Sequence, residues 1–172
     1  MPYRIVAING STRPEAHNAR LLQAIARRYD TYSVELHLDL SGIPLYLADQ
    51  ESTLIQDEIV ELRSSINSAD AVIISTPEYI HNIPAVLKNA LEWLTESAEI
   101  YNKKTLPIVY SPNEPRGTHA MKSLLQSLTA LNATIISSMQ LYQNELIINE
   151  ELEMSGSFSI ELLDEAMASL IT

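Results

Sequence analysis

Residues 71–93 read AVIISTPEYIHNIPAVLKNALEW. Ala71, Val72, Ile73 and Ile74 make a short, mostly β-branched run of the kind buried on both faces of a parallel sheet. Pro77 fixes φ as the chain leaves that strand, and Pro84 suits the first turn of a helix. Leu87, Ala90, Leu91 and Leu94 then recur at helical spacing. The stretch is a strand, a polar loop and a helix: one half of a crossover unit.

The same alternation extends outward in both directions. Brief apolar runs stand at residues 5–8 (IVAI), 106–110 (LPIVY) and 134–136 (TII). Residues 34–40 (VELHLDL) alternate strictly between apolar and polar, which predicts an edge strand with His37 turned to solvent. Between the strands, helical spacing links Leu21, Leu22, Ile25 and Tyr29, and then Ile55, Ile59, Leu62 and Ile66. It returns in Met121, Leu124, Leu125, Leu128 and Leu131, and finally in Leu162, Leu163, Ala166, Met167 and Leu170. Five strands alternating with five helices predict an α/β fold of three layers, a parallel sheet with helices on both faces. Right-handed crossovers and a hydrophilic second strand predict the strand order 2-1-3-4-5. With no internal repeat, low-complexity tract or linker, residues 1–172 read as a single domain.

Composition narrows the function. Eleven Lys and Arg against 22 Asp and Glu leave a formal charge of −11, a poor balance for binding nucleic acid or an anionic membrane. With no cysteine there is no disulfide scaffold, thiolate nucleophile or iron–sulfur cluster. The four glycines, Gly10, Gly42, Gly117 and Gly156, cannot build a GxGxxG dinucleotide loop. The N-terminus lacks the apolar region of a secretory signal, and no run approaches the roughly 18 apolar residues of a membrane span. These readings predict a soluble, cytoplasmic protein. After Lys122 no Lys or Arg occurs, and residues 141–157 form a long acidic connection with LIIN in mid-course. It is a solvated surface or a partner-facing arm.

In such a sheet, ligands bind beyond the carboxyl ends of the strands at the switch point between the first and third. Three loops reach that place. The first holds Gly10, Ser11, Thr12, Arg13, Pro14, Glu15, Ala16, His17 and Asn18 ahead of a helix. Helix N-termini favour phosphate, and here hydroxyls, an amide and a forked cation stand beside one. A Walker loop is excluded by spacing. In the second loop, Glu78, Tyr79, Ile80, His81 and Asn82 offer backbone N–H and C=O groups to the polar edge of a planar ligand, and Tyr79 an aromatic face. The third begins at Ser111.

TPEYxxxIPxxLKNAxxW, with the earlier GSTR and Asn18, resembles the NAD(P)H-dependent FMN reductase family, which includes azo dye, quinone and chromate reductases. The resemblance runs over essentially the whole chain in element order. It implies a flavodoxin-like fold, non-covalent FMN, NADPH or NADH as co-substrate, and a homodimer or homotetramer. It further implies that Ser11, Arg13 and Asn18 hold the FMN phosphate with Thr12 and His17 beside it. Pro77, Glu78, Tyr79 and Ile80 would line the isoalloxazine and ribityl chain, and Ser111 would approach from the third loop. The implied reaction passes hydride from the nicotinamide to FMN and on to a small acceptor: a flavin, quinone, azo compound or metal ion. No side chain need act as a nucleophile, and no catalytic acid is assigned.

The chain also departs from the family pattern. Ala16 stands where a serine is common, and Ile80-His81-Asn82 replaces the usual Asn-Gly-Ser. Pro112 and Pro115 stiffen a third loop that is often glycine-rich. These departures motivate the alternative of a flavodoxin-like protein without reductase activity, serving as a binding or regulatory subunit or an electron carrier. His17, His37, His81 and His119 are scattered without HxH or HExxH, so no metal site is expected. Trp93 is assigned to core or interface, and Lys88 and Asn89 to packing or capping.

Overall fold

The computed structural model describes residues 3–13, 16–48 and 57–172. Along the chain run β1 (Arg4–Asn9), α1 (His17–Arg28), β2 (Ser33–His37), α2 (Asp57–Ser68), β3 (Ala71–Thr76), α3 (Ala85–Glu92) and β4 (Lys104–Ser111). Then follow α4 (Thr118–Ala130), β5 (Thr134–Ile135), β6 (Met139–Tyr142), β7 (Ile147–Ile148), β8 (Met154–Ser155) and α5 (Ser157–Ile171). The main sheet is parallel with the order β2-β1-β3-β4-β5, as the pattern predicts. Ile55, assigned to the second helix, lies outside the described residues. No helix among the described residues is long and apolar enough to cross a membrane.

Strand alternation divides the core into two layers. Val6, Ile8, Val72, Ile74 and Val109 face α2, α3 and α4 through Leu62, Ile66, Leu87, Leu124 and Leu128. Ile5, Ala7, Ile73, Leu106 and Ile108 face α1 and α5 through Leu21, Ile25, Leu163 and Leu170. The central strands are covered on both sides, which is why their sequences read as continuous apolar runs.

The far edge departs from expectation. A single strand at 134–136 is replaced by two-residue β5 and, further on, β6, both parallel to β4. Thr105 and Ser111 offer their carbonyls to this edge, accepting from Ile136 and Gln143. By the alternation of the strand, Pro107 faces it too and has no N–H to give. The ladder therefore lapses opposite residues 106–107 and resumes at Ile108 against Met139. Residues 141–157 pack on the chain itself: β7 and β8 form an antiparallel hairpin, and the Arg20 guanidinium donates to the Asn149 carbonyl at 2.6 Å. At the opposite edge β2 ends at His37, whose side chain is only 13% exposed and lies 3.2 Å from Glu35. The alternation predicts that it points to solvent; instead it is largely buried beside Glu35 of the same strand.

Trp93 is core, as assigned. Its indole N–H donates to the Pro44 carbonyl at 2.7 Å, and Asn89 clamps the same segment through Pro44 and Tyr46. Lys88 pairs with Glu92 one turn along at 3.4 Å.

Candidate functional site

Because β1, β3 and β4 are neighbours, the loops that follow them converge at one end of the sheet. The first loop is tied down at its root. The Gly10 N–H donates to the Ser75 carbonyl at 2.7 Å, and a Cβ there would meet Leu87 Cδ2 at 2.6 Å, so any larger residue must displace a buried core side chain. Buried Asn9 donates to the Leu38 carbonyl and accepts from the Ser11 N–H. The Arg13 N–H in turn donates to Ser11 Oγ at 3.3 Å. α1 then begins behind Ala16, an N-cap residue with no side-chain hydrogen bond and no acidic residue in the first turn. Among the described residues, no side chain caps its opening N–H groups or complements its positive dipole end.

Asn18 carries structural bonds besides the role assigned to it. It is buried, its amide donates to the Tyr110 carbonyl at 3.2 Å, and its Oδ1 accepts from the Ser75 hydroxyl at 2.7 Å. It braces the start of α1 against β3 and β4, with one amide N–H left over.

In the second loop, Tyr79 and Asn82 bond each other reciprocally, N–H to carbonyl at 2.9 and 3.0 Å, around a tight turn. The two central residues, Ile80 and His81, both take left-handed backbone, φ 50° and 54°. Such a turn normally favours Asn-Gly, which makes the family's usual pair intelligible here. Glu78 is 12% exposed and turns away from bulk water. Its Oε2 accepts the N–H groups of His119 and Ala120 at 2.9 and 3.0 Å, capping the N-terminus of α4 from another loop. Burial works to raise its pKa, but the Ala120 and His119 amides, with His81, outweigh it and hold the carboxyl below its ordinary value. Glu78 is therefore a carboxylate at neutral pH. His81 Nδ1 lies 3.4 Å from Glu78 Oε1, and its ring meets His119 edge-on with centroids 4.5 Å apart.

The third loop closes on itself. The Ser111 hydroxyl donates to the Arg116 carbonyl at 2.7 Å, and Gly117 (φ 104°) leaves the loop where a Cβ would strike Val109.

Together these loops bound a cleft of about 690 Å³, within the ~300–1,000 Å³ usual for small-molecule sites. Ten of the twelve assigned residues line it: Ser11, Arg13, His17, Asn18, Pro77, Glu78, Tyr79, Ile80, His81 and Ser111. Thr12 and Asn82 do not; Thr12 is exposed, and Asn82 Oδ1 accepts from the Ile83 N–H and the Ser123 hydroxyl. Sequence reasoning missed Tyr110, Arg116 and Gln143. Arg116 was within reach, as a second cation on a loop already singled out. Gln143 was not, because it enters only with β6. Among the described residues of the cleft, Arg13 and Arg116 are cations and Glu78 is the one carboxylate, in a chain of formal charge −11. The donor set suits FMN: an uncapped helix start and Arg13 for a phosphate, and Pro77 with Tyr79 for a planar ring.

The sequence profile of the family described as NADPH-dependent FMN reductase matches residues 3–145. An NADH:(hydroxy)cinnamate reductase subunit from Vibrio ruber is 30% identical over 162 residues, 93% of this chain and 77% of that protein. A 2-hydroxy-1,4-benzoquinone reductase from Burkholderia is 29% identical over 146 residues, 83% of this chain and 79% of that one. Among solved structures, a flavoenzyme NAD(P)H:(acceptor) oxidoreductase from Paracoccus denitrificans superposes with a TM-score of 0.79 at 22% identity. That likeness covers 98% of this chain and 95% of the other, and shows a shared fold.

Proposed function

The chain belongs to the NADPH-dependent FMN reductase family, and from that premise we propose that it is an NAD(P)H-dependent FMN oxidoreductase whose cofactor lies in the three-loop cleft. Bound FMN supplies the redox chemistry: it takes a hydride equivalent from NADPH or NADH and passes electrons to a small acceptor, a flavin, quinone, azo compound or metal ion. The protein contributes positioning and charge.

The observation that carries this reading is the uncapped start of α1 facing a cleft that concentrates cations in an acidic protein. In our assignment Arg13 and the first N–H groups of α1 hold the phosphate, with Ser11, Thr12, His17 and Asn18 around it. Pro77, Glu78, Tyr79, Ile80 and His81 border the ring system, Asn82 fixes their turn from behind, and Ser111 closes the opposite side.

Arg13→Ala tests the assignment. A charged hydrogen bond contributes about 1.5–3 kcal/mol, so FMN affinity is expected to fall roughly ten- to hundredfold while riboflavin affinity barely changes. Titration of the apo-protein with both ligands, read by flavin fluorescence, measures the difference; equal losses for the two would sink the phosphate assignment.

We further propose that the chain is one domain over residues 1–172, acts in the cytoplasm, where reduced nicotinamides are supplied, and assembles as a homodimer or homotetramer. Leu45 and Leu47, 69% and 47% exposed on the segment that Asn89 clamps, support association. Light scattering should give the mass of two or four chains, and a single-chain mass at micromolar concentration would overturn the assembly.

A further inference from the structure

The reduction of a quinone to a hydroquinone consumes two electrons and two protons. A reductase of the kind proposed above, on which this inference rests, delivers both electrons with one proton as a hydride equivalent. The second proton must come from an acid at the acceptor's side. Arg13 and Arg116 cannot serve, since a guanidinium does not give up its proton in a protein. Tyr110 cannot either: its hydroxyl is committed to the Leu146 carbonyl at 2.6 Å, and burial pushes its pKa up to about 12. His17 stands at the phosphate end, in the first turn of α1. That leaves His81.

The surroundings of His81 are built rather than incidental. It lines the cleft from a turn in which two non-glycine residues hold left-handed backbone, and Ile80 gains no burial from it, being 98% exposed. Backbone strain of this kind persists where the surrounding structure enforces it, and it gathers at functional sites. Here the reciprocal Tyr79–Asn82 bonds and the Asn82–Ser123 contact enforce it. The imidazole, 77% exposed to the cleft and solvent, has the Glu78 carboxylate 3.4 Å from Nδ1 on one side and the edge of the His119 ring on another. Glu78 is itself fixed by the α4 amides, so the carboxylate is a rigid partner. A partner at Nδ1 sets the proton there and leaves Nε2 as the nitrogen that exchanges.

We infer that His81 is the proton donor to the electron acceptor, with Glu78 and His119 as its positioning residues, and that the acceptors it serves are those whose reduction takes up a proton, quinones foremost. In the step, the hydride equivalent forms an O–H bond at one quinone oxygen, the ring's π electrons shift to make it aromatic, and the C=O π pair of the opposite carbonyl moves onto its own oxygen. An O–H bond forms there as the Nε2–H bond of the imidazolium breaks. The neutral ring then takes a proton from water.

The test compares two acceptors in the FMN-loaded protein. Benzoquinone needs the proton, whereas ferricyanide takes one electron and needs none, so its rate normalises for cofactor loading. In His81→Gln, the ratio of quinone to ferricyanide rates is expected to fall about a hundredfold, the usual contribution of a positioned general acid. Added imidazole should restore part of the quinone rate in His81→Ala. Equilibrium binding of hydroquinone, followed by fluorescence, should change less than threefold. An unchanged acceptor ratio, or hydroquinone binding that weakens in step with the rate, would overturn the inference. If wild-type protein binds FMN but NADPH and NADH both leave it oxidised, the reductase reading itself fails, and this inference with it.

Discussion

Ile80 combines two properties that seldom coincide: a β-branched side chain at φ 50° and 98% exposure. Left-handed backbone costs an L-residue roughly 1–2 kcal/mol, and an exposed side chain recovers none of that by burial. Asparagine tolerates the conformation through its short polar side chain. Ile80→Asn is therefore expected to stabilise the apo-protein by about 1 kcal/mol, or roughly 2–4 °C in Tm for a chain of this length. Thermal unfolding of the two proteins side by side checks it, and a lowered Tm would mean that Ile80 packs against something in the working protein. At this scale the sequence was legible where residues act near their own position. The PEY and IP flanks marked the loop correctly, and Arg13, Tyr79 and His81 all reach the cleft. Roles that depend on distant partners were not legible. Nothing in the spacing of PEYIHN shows that Glu78 caps a helix 41 residues away, and nothing around Asn18 shows that it also bonds Tyr110 and Ser75.

Among the elements, α1 is where the proposed phosphate site and helix stability would oppose each other. Its N-cap is Ala16, with no side-chain hydrogen bond, where serine, threonine or aspartate would satisfy an orphan N–H. Ala16→Asp should both cap the helix and complement its dipole, raising apo-protein stability by about 1 kcal/mol. The same carboxylate would stand at the place assigned to the FMN phosphate, and like charges in one site repel. FMN affinity should fall at least tenfold as the urea midpoint rises, and a variant in which both improve would move the phosphate away from α1. The helices and central strands were readable because the periods of 3.6 and 2 follow directly from which side is buried. The broken edge beside β4 was hidden for the opposite reason: the cause, Pro107, lies in one strand and the consequence, residues 136–138, in another. Likewise LIIN in the 141–157 connection is a hairpin strand, but its two residues Ile147 and Ile148 are too short a run to show a period.

Over the whole molecule, charge sets a contest between long and short range. The protein as a whole carries −11 and repels an anionic dinucleotide, while Arg13 and Arg116 in the cleft attract it once it is close. Salt separates the two, because screening acts over about 30 Å at 0.01 M but only about 8 Å at 0.15 M. At the lowest ionic strength the approaching NADPH feels the entire surface, and repulsion slows encounter. At intermediate salt the distant carboxylates fade while the cleft arginines, within contact range, still act. At about 1 M, where the length falls to about 3 Å, those contacts are screened as well. kcat/KM for NADPH should therefore rise severalfold between roughly 0.01 and 0.15 M salt and decline beyond it. NADH, with one phosphate fewer, should follow the same curve with smaller amplitude. Steady-state rates across a salt series with a neutral acceptor measure both. A steady fall from the lowest salt onward would mean that the cleft's own field reaches past the acidic surface, and the two arginines would then be steering the donor rather than only receiving it.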